Sequence, residues 1–275
     1  SYSGLNKLLT SPTVFYKHYV LKEEEELTNP GIIQGSVIHT LLLDPETFDD
    51  KFVIASTNVP TGNTQSVVDR IFDIHVKGNS DNALSLTDYQ NEILSILIEI
   101  NLHQSLKTDQ QRLDKIVNDQ SNDYFEYLKS ANGKTIIDLE TYDKCLTAVE
   151  SIKNNEEACR LLGLQSNPEN RVYNEYPLEL ESYRNLPFGL KGILDNVNVD
   201  IANKVIYIND LKRTGKSIVE FNQSVEAYNY WAQAAIYNIL VTNVLITSNL
   251  QGIIVDGWKV VFNFIVVDKL SLIHI

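Results

Sequence analysis

The feature that most constrains the fold is a change of hydrophobic pattern near residue 170. Up to about residue 165, apolar residues recur mostly at helical spacing. Beyond that point, strand-like segments at 171–180, 190–199 and 204–211 precede a long helical segment at 224–247 and a strand at 259–267. This order predicts a mixed α/β core (an α+β mixture), with the earlier helices packed around it.

The sequence shows no boundary between separate domains. No repeat and no low-complexity linker interrupts the 275 residues, which are enough to bury a substantial core. We therefore expect one domain over 1–275, with a mostly helical part at 1–165 and the central sheet at 166–275. The sequence has no methionine, which predicts a fragment or a processed product.

Composition excludes several classes of protein. With 43% hydrophobic and 21% charged residues the chain is not intrinsically disordered. No run approaches the roughly 18 consecutive apolar residues of a membrane helix, so no membrane partner is expected. The two cysteines, Cys145 and Cys159, are too few for a four-thiolate zinc or iron–sulfur site. A reducing, cytoplasmic location is predicted.

Charge is unevenly distributed along the chain. The net charge of −13 argues against a nonspecific nucleic-acid coat protein. The segment from Arg184 to Lys216 nevertheless holds six basic and three acidic residues. A locally basic groove, as in a nuclease, is therefore compatible with the acidic total.

The candidate chemistry centres on Asp195, Asp210 and Lys212. Asp210 and Lys212 follow Asp195 by fifteen and seventeen residues, across a hairpin turn predicted at 200–203. Residues i and i+2 of a strand share a face, and strand pairing can bring Asp195 alongside them. Two adjacent carboxylates favour a hard cation, Mg²⁺ or secondarily Mn²⁺. An ordinary hairpin with a solvated Asp–Lys pair explains the Asp-x-Lys triplet alone better than a metal site does. With the strand context and Asp195, the two interpretations are equally good.

Two helical motifs accompany this group. His39 follows Gly35 by one helical turn, and the small residue leaves room beside the imidazole for a backbone or a metal. Gln233 and Tyr237 share a face of the later helix, where they can hold substrate or the lysine. Each motif alone is also compatible with ordinary helix packing.

In this order, the motifs Gly35-x-x-x-His39, Asp195, Asp210-x-Lys212 and Gln233-x-x-x-Tyr237 resemble the RecB-like branch of the PD-(D/E)xK nuclease superfamily. The N-terminal stretch narrows the likeness. Its segments are similar to the RecE-type (exonuclease VIII) nuclease domain of phages and prophages: Ser3-Gly-Leu-Asn-Lys-Leu-Leu-Thr-Ser-Pro12, Phe15-Tyr-Lys-His-Tyr19 and Gly35-Ser-Val-Ile-His39-Thr-Leu-Leu-Leu-Asp-Pro45-Glu-Thr-Phe48. The resemblance covers nearly the whole chain, although residues 65–165 are unspecific.

The resemblance implies a restriction-endonuclease-like αβββαβ core and a residue-by-residue assignment of roles. His39, Asp195, Asp210 and the backbone carbonyl of Leu211 would bind Mg²⁺, with Glu175 as a further acidic position. Lys212 would be the catalytic lysine, acting with Asp210 and Asp195. Substrate contacts would come from the following residues: Gln233, Tyr237, Arg213, Lys216, Lys191 and Arg184.

The resemblance also implies an activity and partners. The activity would be 5′→3′ hydrolysis of linear double-stranded DNA from its ends, giving 5′-phosphate products and a 3′ single-stranded tail. The partners would be duplex ends, a single-strand annealing protein and further copies of the chain in a ring, in the cytoplasm of a bacterial host. An iron–sulfur cluster, which related nucleases carry, would need four cysteines.

The chain departs from the family pattern at three places. Leu194 replaces the proline that gives the superfamily its name, and Asp210 stands where many members have glutamate. Family members usually continue past the strand that ends near Val267, so we expect a truncated C-terminus. The C-terminal departure bears on oligomer packing and full activity, whereas Asp210 is shorter than glutamate but can still coordinate a metal.

Two other functions remain to be weighed. Gly215-Lys216-Ser217 resembles the end of a phosphate-binding loop, but that motif requires glycine at the position of Asp210. A DNA-end-binding or recombination scaffold with an inactive nuclease fold is the second alternative. It is disfavoured because no candidate acid or lysine has been lost.

Overall fold

The structure is a computed structural model that describes residues 1–23, 29–78, 83–165, 167–247, 257–270 and 272–275. It is mixed α/β and contains a five-stranded sheet, which confirms the predicted class. The chain divides into two compact units, one formed by 1–48 with 140–275 and the other by 49–139. The second unit is thus inserted in the sequence of the first.

The helices are α1 (Tyr2–Thr10), α2 (Pro12–Phe15), α3 (Pro30–Leu43), α4 (Phe48–Lys51), α5 (Gly62–Lys77), α6 (Gln90–Glu99), α7 (Asp109–Ile116), α8 (Asp119–Ala131), α9 (Leu139–Lys153), α10 (Glu156–Leu162), α11 (Phe221–Ala227) and α12 (Tyr230–Leu240). The strands are β1 (Phe52–Ile54), β2 (Thr135–Ile137), β3 (Arg171–Leu180), β4 (Leu190–Asp200), β5 (Val205–Thr214), β6 (Lys259–Asp268) and β7 (Ile273–His274). In the described part of the chain, none of the helices combines the length and apolar character that a membrane crossing requires.

The inserted unit has a helical core of its own. Apolar side chains of α5, α6 and α8, such as Ile71, Leu97 and Phe125, are fully buried together. The short strands β1 and β2 pair in parallel beside them. This unit accounts for most of the region in which the sequence shows helical spacing.

The five-stranded sheet lies in the other unit, in the order β3-β4-β5-β6-β7. Strands β3, β4 and β5 form an antiparallel meander, whereas β5 and β6 are parallel and are connected through α11 and α12. The predicted turn between β4 and β5 is confirmed. Asp200 closes it by accepting hydrogen bonds from the backbone and side-chain amides of Asn203, at 3.0 and 2.8 Å.

The single helix predicted for 224–247 is wrong. It is divided into α11 and α12 by Asn229, whose φ of 53° is left-handed. Asparagine adopts this conformation more readily than most residues. Its side-chain amide also donates to Asn6 Oδ1 at 3.0 Å, so the interruption is stabilised by a contact 223 residues away in sequence.

Two further boundaries differ from the predictions. Helix α1 is capped by Ser1, whose hydroxyl accepts from Gly4 N, and not by Ser3. The strand predicted to end at Leu211 continues to Thr214 because it pairs with β6 over its whole length. Most of the segment 249–258 lies outside the described residues.

Helix α12 packs closely on the sheet and fixes the height of its side chains above β4. The fully buried Leu194, Val197 and Leu240 belong to this contact. Gly192 permits the close approach, because a Cβ there would lie 2.9 Å from Tyr237 Cε1. Helix α10 packs on β4 and β5, and α3 contacts the same two strands.

Candidate active site

Strands β4 and β5 separate at the position of the predicted acids. Their backbone pairing ends at Asn196 and Asn209, one residue before Asp195 and Asp210 are reached. The amide of Leu211 donates instead to Asp195 Oδ2 at 2.8 Å. The separation therefore leaves backbone groups of β5 for functional side chains.

The pairing of β3 with β4 is interrupted at the same level of the sheet. Asn174 and Tyr176 pair with β4 on either side of Glu175, which does not take part in the ladder. Glu175 has a φ of 47°, a conformation that residues other than glycine seldom adopt. Such outliers persist where the surrounding structure imposes them, often at functional sites.

His39 projects from α3 into this opening and lies close to Asp195 and Glu175. Its Nε2 atom donates to the Leu211 carbonyl at 3.1 Å and lies 3.5 Å from Asp195 Oδ2. Its Nδ1 atom lies 3.7 Å from Glu175 Oε1. Ligand atoms of His39, Glu175 and Asp195 all fall within 4.8 Å of one another.

The protonation of this group reflects its burial. Burial alone lowers the pKa of His39, but Asp195, Glu175 and the Leu211 carbonyl together outweigh it and raise the pKa to about 9. Burial and the nearby Asp210 raise the pKa of Asp195 to about 7, against the opposing effect of His39 and Lys212. Without a metal, this arrangement holds protons that a cation would displace.

Asp210 lies beside the His39, Glu175 and Asp195 cluster and is not one of its members. Its side chain is only 1% exposed. One carboxylate oxygen accepts from Gln233 Nε2 at 2.7 Å, and the other forms an ion pair with Lys212. The structure thus joins Asp210, Lys212 and Gln233 into a second group, which orients the lysine.

Lys212 is held as a cation. Burial lowers its pKa, but Asp210 and Asp195 outweigh that effect and raise it. The ammonium also lies 5.0 Å from the ring centroid of Tyr230 and 5.9 Å from that of Phe264. These aromatic faces favour the charged form further.

Tyr237 contacts the sheet. Its hydroxyl donates to the Ile193 carbonyl at 2.9 Å, and its ring rests on Gly192. On one side it lines a cavity of about 630 Å³, which Lys191 and Glu179 also line. Tyr237 therefore connects the site to a neighbouring cavity.

The remaining predicted basic residues have different surroundings. Arg213 lines a small recess with Gly35 and His39, on the side of α3. Lys216 is exposed beyond the end of β5, and the Arg184 guanidinium lies 5.0 Å from the Tyr183 ring centroid. A Cβ at Gly35 would meet nothing within 4 Å, so the predicted room beside His39 exists.

Sequence reasoning missed two sets of residues around the site. Tyr230 precedes Gln233 by three positions on α12, so helical spacing places both residues on one face of the helix. Since Gln233 is predicted to hold substrate or Lys212, this spacing could have identified Tyr230 as a neighbour of the lysine. Asn174, Asn196 and Asn209 each adjoin a candidate acid. Asparagine inside a strand is an unusual residue that could have marked them.

Comparisons of this chain with family models, with curated proteins and with solved structures found no match.

Proposed function

We propose that this chain is a metal-dependent nuclease that hydrolyses phosphodiester bonds of DNA. The observation that carries the proposal is the convergence of His39, Glu175 and Asp195 within 4.8 Å, beside the half-buried Lys212. An imidazole and two carboxylates are a metal-ligand set, and an adjacent cation suits a reaction in which a phosphate gains negative charge.

The residues present fit a divalent metal ion. His39 Nε2, Asp195, Glu175 and the Leu211 carbonyl offer mostly oxygen donors, which favour Mg²⁺ or Mn²⁺. The raised pKa of Asp195 shows that the buried negative charge is incompletely compensated by the protein itself. A metal bound there would act as a Lewis acid on a phosphate oxygen and lower the pKa of a bound water.

The protein side chains contribute charge and orientation. Lys212 is a cation at neutral pH, so its role is to stabilise negative charge on the phosphate rather than to remove a proton from water. Asp210 and Gln233 hold it in place through their mutual contacts. In this arrangement Asp210 acts mainly on the lysine, and Glu175 replaces it next to His39.

The order of elements supports a restriction-endonuclease-like core for this nuclease. Helix α3, strands β3 to β5, helix α12 and strand β6 follow one another as αβββαβ, with the inserted unit and α9–α10 between α3 and β3. The parallel pairing of β5 with β6 fits the same order.

The resemblance to RecE-type nucleases extends the proposal to a substrate and partners. We propose 5′→3′ digestion of linear duplex DNA from its ends, producing 3′ tails for an annealing protein, by an oligomer of this chain. Arg213, Lys216 and Lys191 would contact phosphates without reading sequence.

The decisive experiment uses linear duplex DNA labelled at either end, with Mg²⁺, Mn²⁺ or EDTA. Release of the 5′ label as a mononucleotide, abolished by EDTA and by Lys212→Ala or Asp210→Asn, is the expected result. The exposed Lys269→Ala serves as a matched control and should cleave normally. DNA binding without cleavage under any metal would contradict the proposal and favour an end-binding scaffold.

A further inference from the structure

Four asparagines form a continuous row of side-chain hydrogen bonds across the sheet. We call this row, Asn174, Asn196, Asn209 and Asn263, the amide ladder. Asn263 donates to Asn209 at 2.9 Å, Asn209 to Asn196 at 2.7 Å, and Asn196 to Asn174 at 2.8 Å. The four residues are direct register partners on β6, β5, β4 and β3.

The amide ladder reaches each element that carries a predicted ligand. Three of its members adjoin Glu175, Asp195 and Asp210 in sequence. At its end, Asn174 Nδ2 donates to the Leu43 carbonyl at 2.8 Å, the last residue of α3, which bears His39. One chain of amides therefore connects β3, β4, β5 and α3.

A second set of bonds anchors the amide ladder to a helix end. Asn209 Nδ2 also donates to the Leu161 carbonyl at 2.8 Å, and Asn196 Nδ2 to the Leu162 carbonyl at 3.1 Å. These carbonyls belong to the last turn of α10, where helix carbonyls lack partners within the helix. Asn196 and Asn209 are 0% exposed, so their amides are fixed by protein contacts alone.

The amide ladder lies where the backbone ladder ends. Backbone pairing of β4 with β5 stops at Asn196 and Asn209, and that of β3 with β4 is interrupted at Glu175. Strands that have lost their backbone bonds need another restraint if their side chains are to keep a fixed separation. The side-chain amides supply this restraint one residue away from each acid.

We propose that the amide ladder is a positioning device that sets the separation of His39, Glu175 and Asp195 for metal binding. This inference rests on the proposed function, since it assigns a purpose to that same site. Asn196 is its central member because it bonds to both neighbouring strands and to α10. Residues that orient ligands from outside the coordination shell typically change metal affinity by about 10- to 100-fold when replaced.

The test compares Asn196→Leu with Asn198→Leu in the full chain. Asn198 is a matched control, because it is also 0% exposed, lies on β4 and donates to α10 carbonyls at 3.0 Å. It adjoins no predicted ligand. Both variants should unfold at a lower temperature. Only Asn196→Leu should weaken Mn²⁺ binding, measured by electron paramagnetic resonance, by about 10- to 100-fold.

A second pair keeps the test decisive if Asn196→Leu does not fold. Asn174 is at an exposed position, so Asn174→Ala should fold and still break the connection to α3. Its control is Asn170→Ala, which removes an amide bond to Asn198 outside the amide ladder. Selective loss of Mn²⁺ affinity in Asn174→Ala supports the proposal, and equal affinities within each pair overturn it.

Failure of the proposed function gives a different result from failure of the positioning role. If the unmodified chain binds no Mn²⁺, the metal site is refuted. The positioning role of the amide ladder is then tested by the separation of Asp195 from His39 in crystal structures of Asn174→Ala and Asn170→Ala. Displacement of Asp195 from His39 in Asn174→Ala alone supports positioning. An unchanged separation in both variants overturns it.

Discussion

Metal binding at this site should displace protons, in a number that follows from the structure. With a pKa of about 9, His39 is about 90% protonated at pH 8, and Asp195, with a pKa of about 7, is about 10% protonated. A metal ligand must be deprotonated, so binding should release about one proton per ion at pH 8 and about two at pH 6. The apparent affinity should therefore rise about tenfold per pH unit near pH 8.

Calorimetry measures this release directly. Mg²⁺ is titrated into the protein at pH 8 in two buffers that differ in ionisation enthalpy, and the difference in apparent heat gives the proton count. Nitrogen NMR of the His39 ring identifies the donor, since the ring should change from imidazolium to neutral imidazole on binding. The exposed His274 is the internal control, and its ring signals should not respond.

In the metal-free protein, the raised pKa of His39 also sets the direction in which stability changes with pH. The pKa of His39 is raised from 6.5 to about 9 by folding, so its protonated form stabilises the fold. This stabilisation is complete below pH 6.5 and is lost as the pH rises towards 9, so the Tm in EDTA should fall over that range. Proton release near zero at pH 8, or a Tm that rises from pH 6.5 to 9 in EDTA, would refute the assignment of His39 as a protonated residue that loses its proton when it binds a metal.

Four further variants test the packing around the site. Gly35→Ala should raise the free energy of unfolding by about 0.5–1 kcal/mol in urea titrations, because alanine favours the helix and its methyl group meets open space; DNA cleavage should weaken if substrate uses that space. Gln233→Glu places a second carboxylate against the buried Asp210 and should destabilise the protein by about 2 kcal/mol or more at pH 8, with recovery near pH 5 in thermal scans. A Tm difference between Gln233→Glu and the unmodified chain that does not change with pH would contradict this. Gly192→Ala should lower the Tm because its methyl group would overlap the Tyr237 ring. Tyr237→Phe, which loses the hydrogen bond to the Ile193 carbonyl, should cost about 1 kcal/mol.

The strands and the hairpin were predictable because they depend on local patterns. Apolar and β-branched residues are frequent in β4 and β5. Asp200 and Asn203 form the turn between them through hydrogen bonds three residues apart. The break between α11 and α12 was not predictable, since it is supported by Asn6 at the other end of the chain. Local patterns do not report such distant contacts.

The residue types of the site were predictable, but their grouping was not. The spacing of Asp195, Asp210 and Lys212 led to one three-residue site, whereas the structure joins Asp195 to His39 and Asp210 to Lys212. The reason is the separation of β4 from β5, which directs Asp195 to the backbone of the opposite strand. The position at which backbone pairing ends depends on the whole sheet, and the residue spacing within one strand does not predict it.

The inserted unit affects the order in which a nascent chain can fold. Residues 49–139 hold a complete core of their own and can fold while the ribosome is still making the remainder. His39, already synthesised before them, must wait for Leu211, which follows it by 172 residues. The site that we assign to hydrolysis therefore closes only when translation has passed β5 and α12. A translation product that ends before β5 and α12 would lack the complete site and therefore the proposed activity.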